Sequence, residues 1–268
     1  MKILLTGYRG FIGCCLRRKL RELGHDVIAI EKSFVDTEMD RLGDKVVDSD
    51  LIFHVGAIAD TALQESSEML KYNYLFSKRL FDIAHAAQRK VIYSSSAACD
   101  GDGDGVPNNI YGWSKLLAEQ YGLARCWEEE FVSLRYFNVY GPGEQNKGKM
   151  ASVAYQAWEE GSFKLFPTRP KRDFVYIDDV VTANLCAMHA PTGVYEVGYG
   201  EARTFESLLD GMNIEYKHHA TDQIPFWYQN YTCADKNKRV PRWKPRFDVE
   251  KGTKKYKEYL DEVFSYRR

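Results

Sequence analysis

Apolar positions in the first half of the chain switch repeatedly between two spacings. Lys2–Thr6 is a short apolar run suited to a buried strand, and Ile12, Leu16, Leu20 and Leu23 then recur at helical spacing until Gly24 stops the helix. Asp26–Ile30 and residues 51–55 read as further strands. Tyr72, Phe76, Leu80, Ile83 and Ala87 share one face of a long helix, which is followed by a strand over 90–94. A helix over 111–126 leads into a strand at Phe131–Tyr136. Strands separated by helices must pair through crossovers, so the pattern predicts an α/β fold built on a doubly wound parallel sheet.

The second half is less regular. It carries a helix over 152–160, a strand over 174–177, a helix over 178–189 and a charged helix over 248–260. The expected division is a dinucleotide-binding domain at 1–141, with 173–189 packing back on it, and a smaller substrate-binding lobe at 142–268. Between Glu31 and Asp50 only twenty residues separate two strands, fewer than a helical crossover with a further strand needs. Val46-Val47 reads as the remnant of such a strand.

Composition narrows the function classes. The 268 residues are 44% hydrophobic and 28% charged, and Lys plus Arg (37) nearly cancel Asp plus Glu (38). That balance offers no footprint for gripping nucleic acid or an anionic membrane. No stretch approaches the ~20 apolar residues of a membrane helix, and Ile3-Leu4-Leu5 is too short for a signal-peptide core. The six cysteines include no C-x-x-C pair, so reduced thiols in a cytoplasmic protein are expected.

Chemistry concentrates first at Gly7-Tyr8-Arg9-Gly10-Phe11-Ile12-Gly13, between the first strand and the first helix. Glycines there let a backbone approach a pyrophosphate at a helix N-terminus, so the loop predicts a bound dinucleotide. Glu31, ending the second strand, suits both adenosine ribose hydroxyls and favours NAD. Arg9 and Lys32 suit a 2′-phosphate and leave NADP open. The second concentration is Tyr111-Gly-Trp-Ser-Lys115, a Tyr-x-x-x-Lys whose ends share one helix face, with Ser94-Ser95-Ser96 ending the preceding strand. A nearby ammonium is expected to lower the phenol's pKa from ~10. Ser96 then holds a substrate hydroxyl while Tyr111 exchanges its proton.

With these motifs the chain resembles, over nearly its whole length, the extended short-chain dehydrogenase/reductases of the nucleotide-sugar epimerase/dehydratase family. His54-Val-Gly-Ala, Asn73, the run from Arg135 to Pro142 (RYFNVYGP) and that from Arg172 to Asp179 (RDFVYIDD) belong to the same pattern. The resemblance implies a Rossmann-type fold, with Gly56, Ala57 and Asn73 near the cofactor, Asn138 near the sugar and Arg172 near the substrate phosphates. Dehydratases of the family usually show Thr-Asp-Glu where this chain has Ser96-Ala97-Ala98, which argues against dehydration. The ADP-glyceromanno-heptose 6-epimerases are the branch it resembles most, through RYFNVYGP and the segments from Lys147 to Ala154, Lys164 to Phe166 and Lys171 to Tyr176. Tyr228-Gln229 and Ala234-Asp235 extend that likeness. By this resemblance Lys147 is a second proton-transfer residue, and Phe166, Arg172 and Tyr228 touch substrate. Lys149 and Gln156 stand at substrate positions where the branch shows Ser and His, which bears on the identity of the sugar.

The implied reaction oxidises a sugar carbon to a transient ketone and reduces it from the other face, so two proton-transfer groups are needed. A nucleotide-diphosphate sugar is the expected partner, and a homo-oligomer follows from the family alone. The alternatives are a 4-epimerase or ketoreductase of another nucleotide sugar, and a non-catalytic NAD(P)-binding regulator. Residues 100–105 (DGDGDG) suggest a calcium loop, but the twelfth position is Tyr111 where such a loop needs a bidentate Glu. They read as a flexible loop bordering the active site.

Overall fold

The computed structural model describes residues 1–61, 63, 65–125, 130–145, 147–220, 225 and 228–264. Strand β1 (Lys2–Thr6) runs into helix α1 (Phe11–Glu22), then β2 (Asp26–Ile30), α2 (Lys32–Thr37), α3 (Leu42–Val47) and β3 (Leu51–His54). Helix α4 (Ser66–Leu70) passes through a π-helical turn at Lys71–Leu75 into α5 (Phe76–Ala86). Next come β4 (Lys90–Ser96), α6 (Ile110–Arg125), β5 (Phe131–Tyr136) and β6 (Asn138–Tyr140). The remainder comprises α7 (Val153–Glu160), β7 (Ser162–Leu165), β8 (Lys171–Tyr176), α8 (Ile177–Ala187), β9 (Gly193–Val197), β10 (Ala202–Thr204), α9 (Phe205–Gly211), β11 (Glu215–His218) and α10 (Val249–Val263).

Among the described residues the main sheet has six strands in the order β2-β1-β3-β4-β5-β9, every pair parallel. The run KILLT is apolar on both sides because both faces of β1 are covered. Ile3 and Leu5 join the core formed with α1 and α8, and Leu4 joins the core formed with α3 and α5. The chain leaves β1 for β2 on one side and returns to β3 on the other. That reversal opens a crevice at the carboxyl ends of β1 and β3, where open parallel sheets bind ligands.

The short β2–β3 connection departs from the expected remnant strand. Val46-Val47 ends helix α3, with Val46 fully buried against the sheet and Val47 61% exposed. A strand at that place would carry unpaired backbone groups, whereas a helical turn satisfies its own.

The second half builds a three-stranded sheet, β10-β8-β6, and a parallel pair, β11-β7. Two buried carboxylates from the RDFVYIDD run hold its irregular segments. Asp173 accepts from the backbone N–H groups of Tyr199 (2.7 Å), Gly200 (2.6 Å) and Ala234 (3.0 Å). Asp179 accepts from those of Arg246 (2.9 Å) and Phe247 (3.0 Å). Neither residue exposes measurable surface, so each anchors a loop that lacks regular pairing of its own.

Candidate active site

The glycine loop closes on itself. Gly7 takes φ +68°, and its carbonyl accepts from the N–H of Gly10 at 3.0 Å. A Cβ on Gly13 would lie 2.0 Å from the Gly7 oxygen, and one on Gly7 would lie 2.5 Å from the Cα of Gly56. Gly10 precedes α1 without a side-chain cap, and the first turn holds no acidic residue, so its N–H groups are available to an anion. A cavity of about 280 Å³ opens here, lined by Gly7, Gly10, Phe11, Ile12, Gly13, Glu31, Lys32, Gly56 and Ala57. This backbone cradle, which any side chain would fill, fits the diphosphate of a dinucleotide. Gly13→Ala is expected to abolish dinucleotide retention and to destabilise the chain by about 3 kcal/mol, because the clash is with backbone. Thermal unfolding with and without added NAD measures both.

The two cations that suit a 2′-phosphate are engaged elsewhere. Lys32 Nζ pairs with Glu68 at 2.6 Å and lies over the Tyr72 ring at 4.2 Å. The Arg9 guanidinium turns onto Tyr8, its Nε 3.1 Å from the phenol oxygen, while the Arg9 N–H donates to Glu31 at 2.6 Å. Glu31, which lines the cavity at the end of β2, opposes a 2′-phosphate, so this cradle suits NAD.

Asn73 lies beneath this cavity. The π-helical turn at Lys71–Leu75 carries it, and its amide is used internally. It donates to the Ile58 carbonyl (2.9 Å) and the Ser114 hydroxyl (3.0 Å), and accepts from the Ile58 N–H (2.8 Å). The Ser114 hydroxyl donates to the Tyr111 carbonyl at 2.7 Å. On the other side the Ser77 hydroxyl donates to the Asn73 carbonyl (2.6 Å) and meets His54 Nε2 at 2.7 Å. Because that serine proton is committed, Nε2 carries the imidazole hydrogen. Nδ1 then accepts from Thr6 Oγ1 (2.8 Å), which itself accepts from the Gly56 N–H (2.9 Å). Burial pushes the imidazole down to about 3, so it is neutral. One buried polar chain thus joins the end of β1 to the helix bearing Tyr111 and Lys115.

Ser96 and Tyr111 line a second cavity of about 240 Å³, with Asn138, Arg172 and Tyr228 among its other walls. Burial pushes the Tyr111 phenol up to about 12, opposed by its hydrogen bond with Ser96. This is opposite to the expected lowering. Lys115 Nζ lies 4.3 Å from the centre of the Tyr93 ring and is itself pushed down to about 8 by burial. The ammonium is thus placed on the Tyr93 ring, and loss of water around the phenol sets the direction of its shift.

Arg172 is 5% exposed, with its guanidinium 5.0 Å from the Tyr228 ring centre and Nη1 3.0 Å from the Lys171 carbonyl. No carboxylate within ion-pair distance neutralises it among the described residues, and burial lowers its pKa. A desolvated guanidinium facing a cavity is suited to a phosphate group. Phe166 meets Tyr228 edge-on at 5.1 Å and lines an adjoining apolar cavity of about 180 Å³ with Phe205.

Lys147 lies apart from this group. Its Nζ is 5.1 Å from the centre of the Phe11 ring, it lines the dinucleotide cavity, and burial lowers its pKa against the opposing charge of Glu144. Gln156 donates to the Ala151 carbonyl at 2.7 Å. The Lys149 side chain lies outside the described residues. Sequence reading missed Glu144, which is fully buried and accepts from the Ser152 N–H (2.6 Å) and hydroxyl (2.7 Å), folding the loop that carries Lys147. Gln229, named there only as part of the Tyr228-Gln229 motif, lines the Tyr111 cavity. Neither position has a spacing signal, because both act on residues distant in sequence or held only by loop closure.

A model of the NAD dependent epimerase/dehydratase family matches residues 3–198. An ADP-L-glycero-D-manno-heptose-6-epimerase from Brachyspira hyodysenteriae is 32% identical, covering 98% of this chain and 99% of that protein. One from Alkalilimnicola ehrlichii is 33% identical over 95% of this chain and 96% of its own length. The crystal structure of the Helicobacter pylori ADP-L-glycero-D-manno-heptose-6-epimerase superposes with TM-score 0.83 at 29% identity, covering 97% of this chain and 96% of that one. The Brachyspira alignment runs over 316 positions against 268 residues here, so at least 48 of its positions have no counterpart in this chain. On the cradle, the Ser96–Tyr111 cavity and these likenesses, the chain belongs to the NAD-dependent epimerase/dehydratase family.

Proposed function

We propose that this enzyme inverts a hydroxyl-bearing carbon of a nucleotide-diphosphate sugar, with an ADP-heptose as the substrate to test first. The observation that carries this reading is the composition of one cavity. Ser96 and Tyr111 face Arg172 and Tyr228 across it, while Ala97 and Ala98 place only methyl groups where a dehydratase needs an acid and a base. Arg172 holds the diphosphate, Phe166 and Tyr228 hold the nucleoside end, and Asn138 and Ser96 orient the sugar. Bound NAD supplies the reversible hydride acceptor. Tyr111, after its phenolic proton has passed to solvent, takes the proton of the reacting hydroxyl as a phenolate held by the Ser96 hydroxyl, and Lys147 as an ammonium gives a proton on the opposite face. For Lys147 this requires its ammonium to leave the Phe11 ring when ligands fill the cavity. Residues 1–141, with 173–189 packed back on them, form the dinucleotide-binding domain, and 142–268 form the sugar lobe. A cytoplasmic homo-oligomer is the assembly that the family likeness supports.

The test incubates the purified protein with ADP-heptose and a panel of other nucleotide sugars, without added cofactor, and follows stereochemistry by NMR. Inversion with no net consumption of cofactor is expected. Inertness across the panel, with dinucleotide bound, would overturn the epimerase reading.

A further inference from the structure

The DGDGDG run at 100–105 takes no part in the chemistry above, yet it spans the cleft. It leaves the Ser96 end of β4 and is tied to the dinucleotide side by Asp100, whose carboxylate accepts from Arg135 Nη1 at 2.6 Å. Two residues on, Asp102 Oδ1 accepts from the consecutive backbone N–H groups of Asn230 (2.6 Å) and Tyr231 (3.3 Å). Gln229 Nε2 donates back to the carbonyls of Gly101 and Ala97, the latter at 3.3 Å. These partners are 128 to 132 residues apart in sequence. The opposite edge of the 228–232 segment is held by Lys171, whose N–H donates to the Asn230 carbonyl (2.9 Å) and whose carbonyl accepts from the Thr232 N–H (3.1 Å). That segment therefore lies between β8, next to Arg172, and the loop that follows Ser96.

We propose that Asp102 is a positioning residue: its two backbone hydrogen bonds clasp the 228–231 segment across the cleft and set where Tyr228 and Arg172 meet the substrate's diphosphate. The clasp rests on the hydrogen bonds alone, and its effect on substrate rests on the function proposed above. Asp102 acts through geometry more than through charge. A carboxylate near Arg172 opposes anion binding, so a substituent that keeps the acceptor oxygen and loses the charge preserves the useful part of the side chain. The glycines at 101, 103 and 105 let the loop turn tightly enough to aim it, as the Gly103 and Gly105 N–H groups both donate to the Asp100 carbonyl (2.8 and 3.1 Å).

The test compares the full-length wild-type protein with Asp102→Ala and Asp102→Asn in two measurements. Hydrogen exchange of the ligand-free protein is expected to show the amides of 228–232 exchanging about tenfold faster in Asp102→Ala, with those of α6 unchanged. In Asp102→Asn, where Oδ1 still accepts, protection is retained. Unchanged exchange in Asp102→Ala overturns the clasp. In steady-state kinetics with ADP-heptose, KM is expected to rise about tenfold in Asp102→Ala with kcat within about twofold, and to return to near the wild-type value in Asp102→Asn. A KM unchanged in Asp102→Ala, or a fall in kcat alone, overturns the positioning role. If the wild-type protein turns over no nucleotide sugar, the proposed function falls while the exchange measurement still decides the clasp.

Discussion

Turnover by Tyr111→Phe is expected to fall by about 10²–10⁴-fold, the range that positioned proton transfer contributes, with dinucleotide still bound. The phenylalanine ring keeps the volume of the tyrosine and the packing of α6, so only the hydroxyl is lost. That hydroxyl is bonded to Ser96 and faces Arg172 and Tyr228 across the same cavity. Its pKa, pushed up to about 12 by burial, keeps the phenol protonated at neutral pH in the ligand-free chain. Wild-type turnover that begins with loss of the phenolic proton should therefore rise as pH is raised, and the Phe variant should lack that rising limb. Single-turnover rates across pH, with release of dinucleotide on denaturation as the binding control, make the measurement. Full activity in the variant would remove Tyr111 from the mechanism.

The largest expected loss of stability is at Arg135→Ala. Glu119 on α6, four residues after Lys115, has no exposed surface, and Arg135 reaches it through Nε at 3.2 Å and Nη2 at 2.5 Å. The Ser133 hydroxyl, which donates to it at 2.7 Å, would be left as its neutral partner. Removing the guanidinium from a buried pair costs about 3–5 kcal/mol, because the carboxylate stays desolvated without a counter-charge. For a chain of this size that corresponds to a drop in Tm on the order of 10 °C, measurable by calorimetry. Replacing Arg135 and Glu119 together by Met and Leu should cost far less, since no buried charge then remains. A single-variant loss under about 2 °C would falsify the assignment of Arg135 as the main neutraliser of Glu119. Arg135 also meets Asp100, so its removal is expected to loosen the loop that carries Asp102.

Much of the molecule is legible in the sequence. Helical spacing marked α1, α5 and α6, and short apolar runs marked β1, β2, β4 and β5, because those segments bury whole faces within one sheet and its covering helices. The elements it missed, α2, α4, β6, β7, β9, β10, β11 and α9, are short, and α3 reads in the sequence as the remnant of a strand. Strand β9 joins the main sheet by pairing with β5, whose partner residues lie some sixty positions earlier. A five-residue run carries no mark of the neighbour it will find. The dinucleotide cradle was readable because closing a backbone loop around a diphosphate demands glycines at fixed places. The Tyr111–Lys115 spacing was readable because one helix sets it.

Charge balance and long-range contact were not readable in the same way. Spacing alone suggests that Lys115 lowers the Tyr111 pKa, but the folded chain sets that ammonium over the Tyr93 ring and buries the phenol, and burial raises it. Lys32 looks free for a phosphate until Glu68 meets it from α4. Asp102 and Glu144 look like ordinary loop acids until chain closure brings backbone N–H groups to them. By itself, the sequence determined the parallel α/β fold, the glycine cradle and the Tyr111–Lys115 spacing, each of which is a local constraint written in neighbouring residues. Only the tertiary structure decided which charges are neutralised, which protons stay on, and how the 228–231 segment is held over the cleft, because those depend on atoms that meet only after the chain has folded.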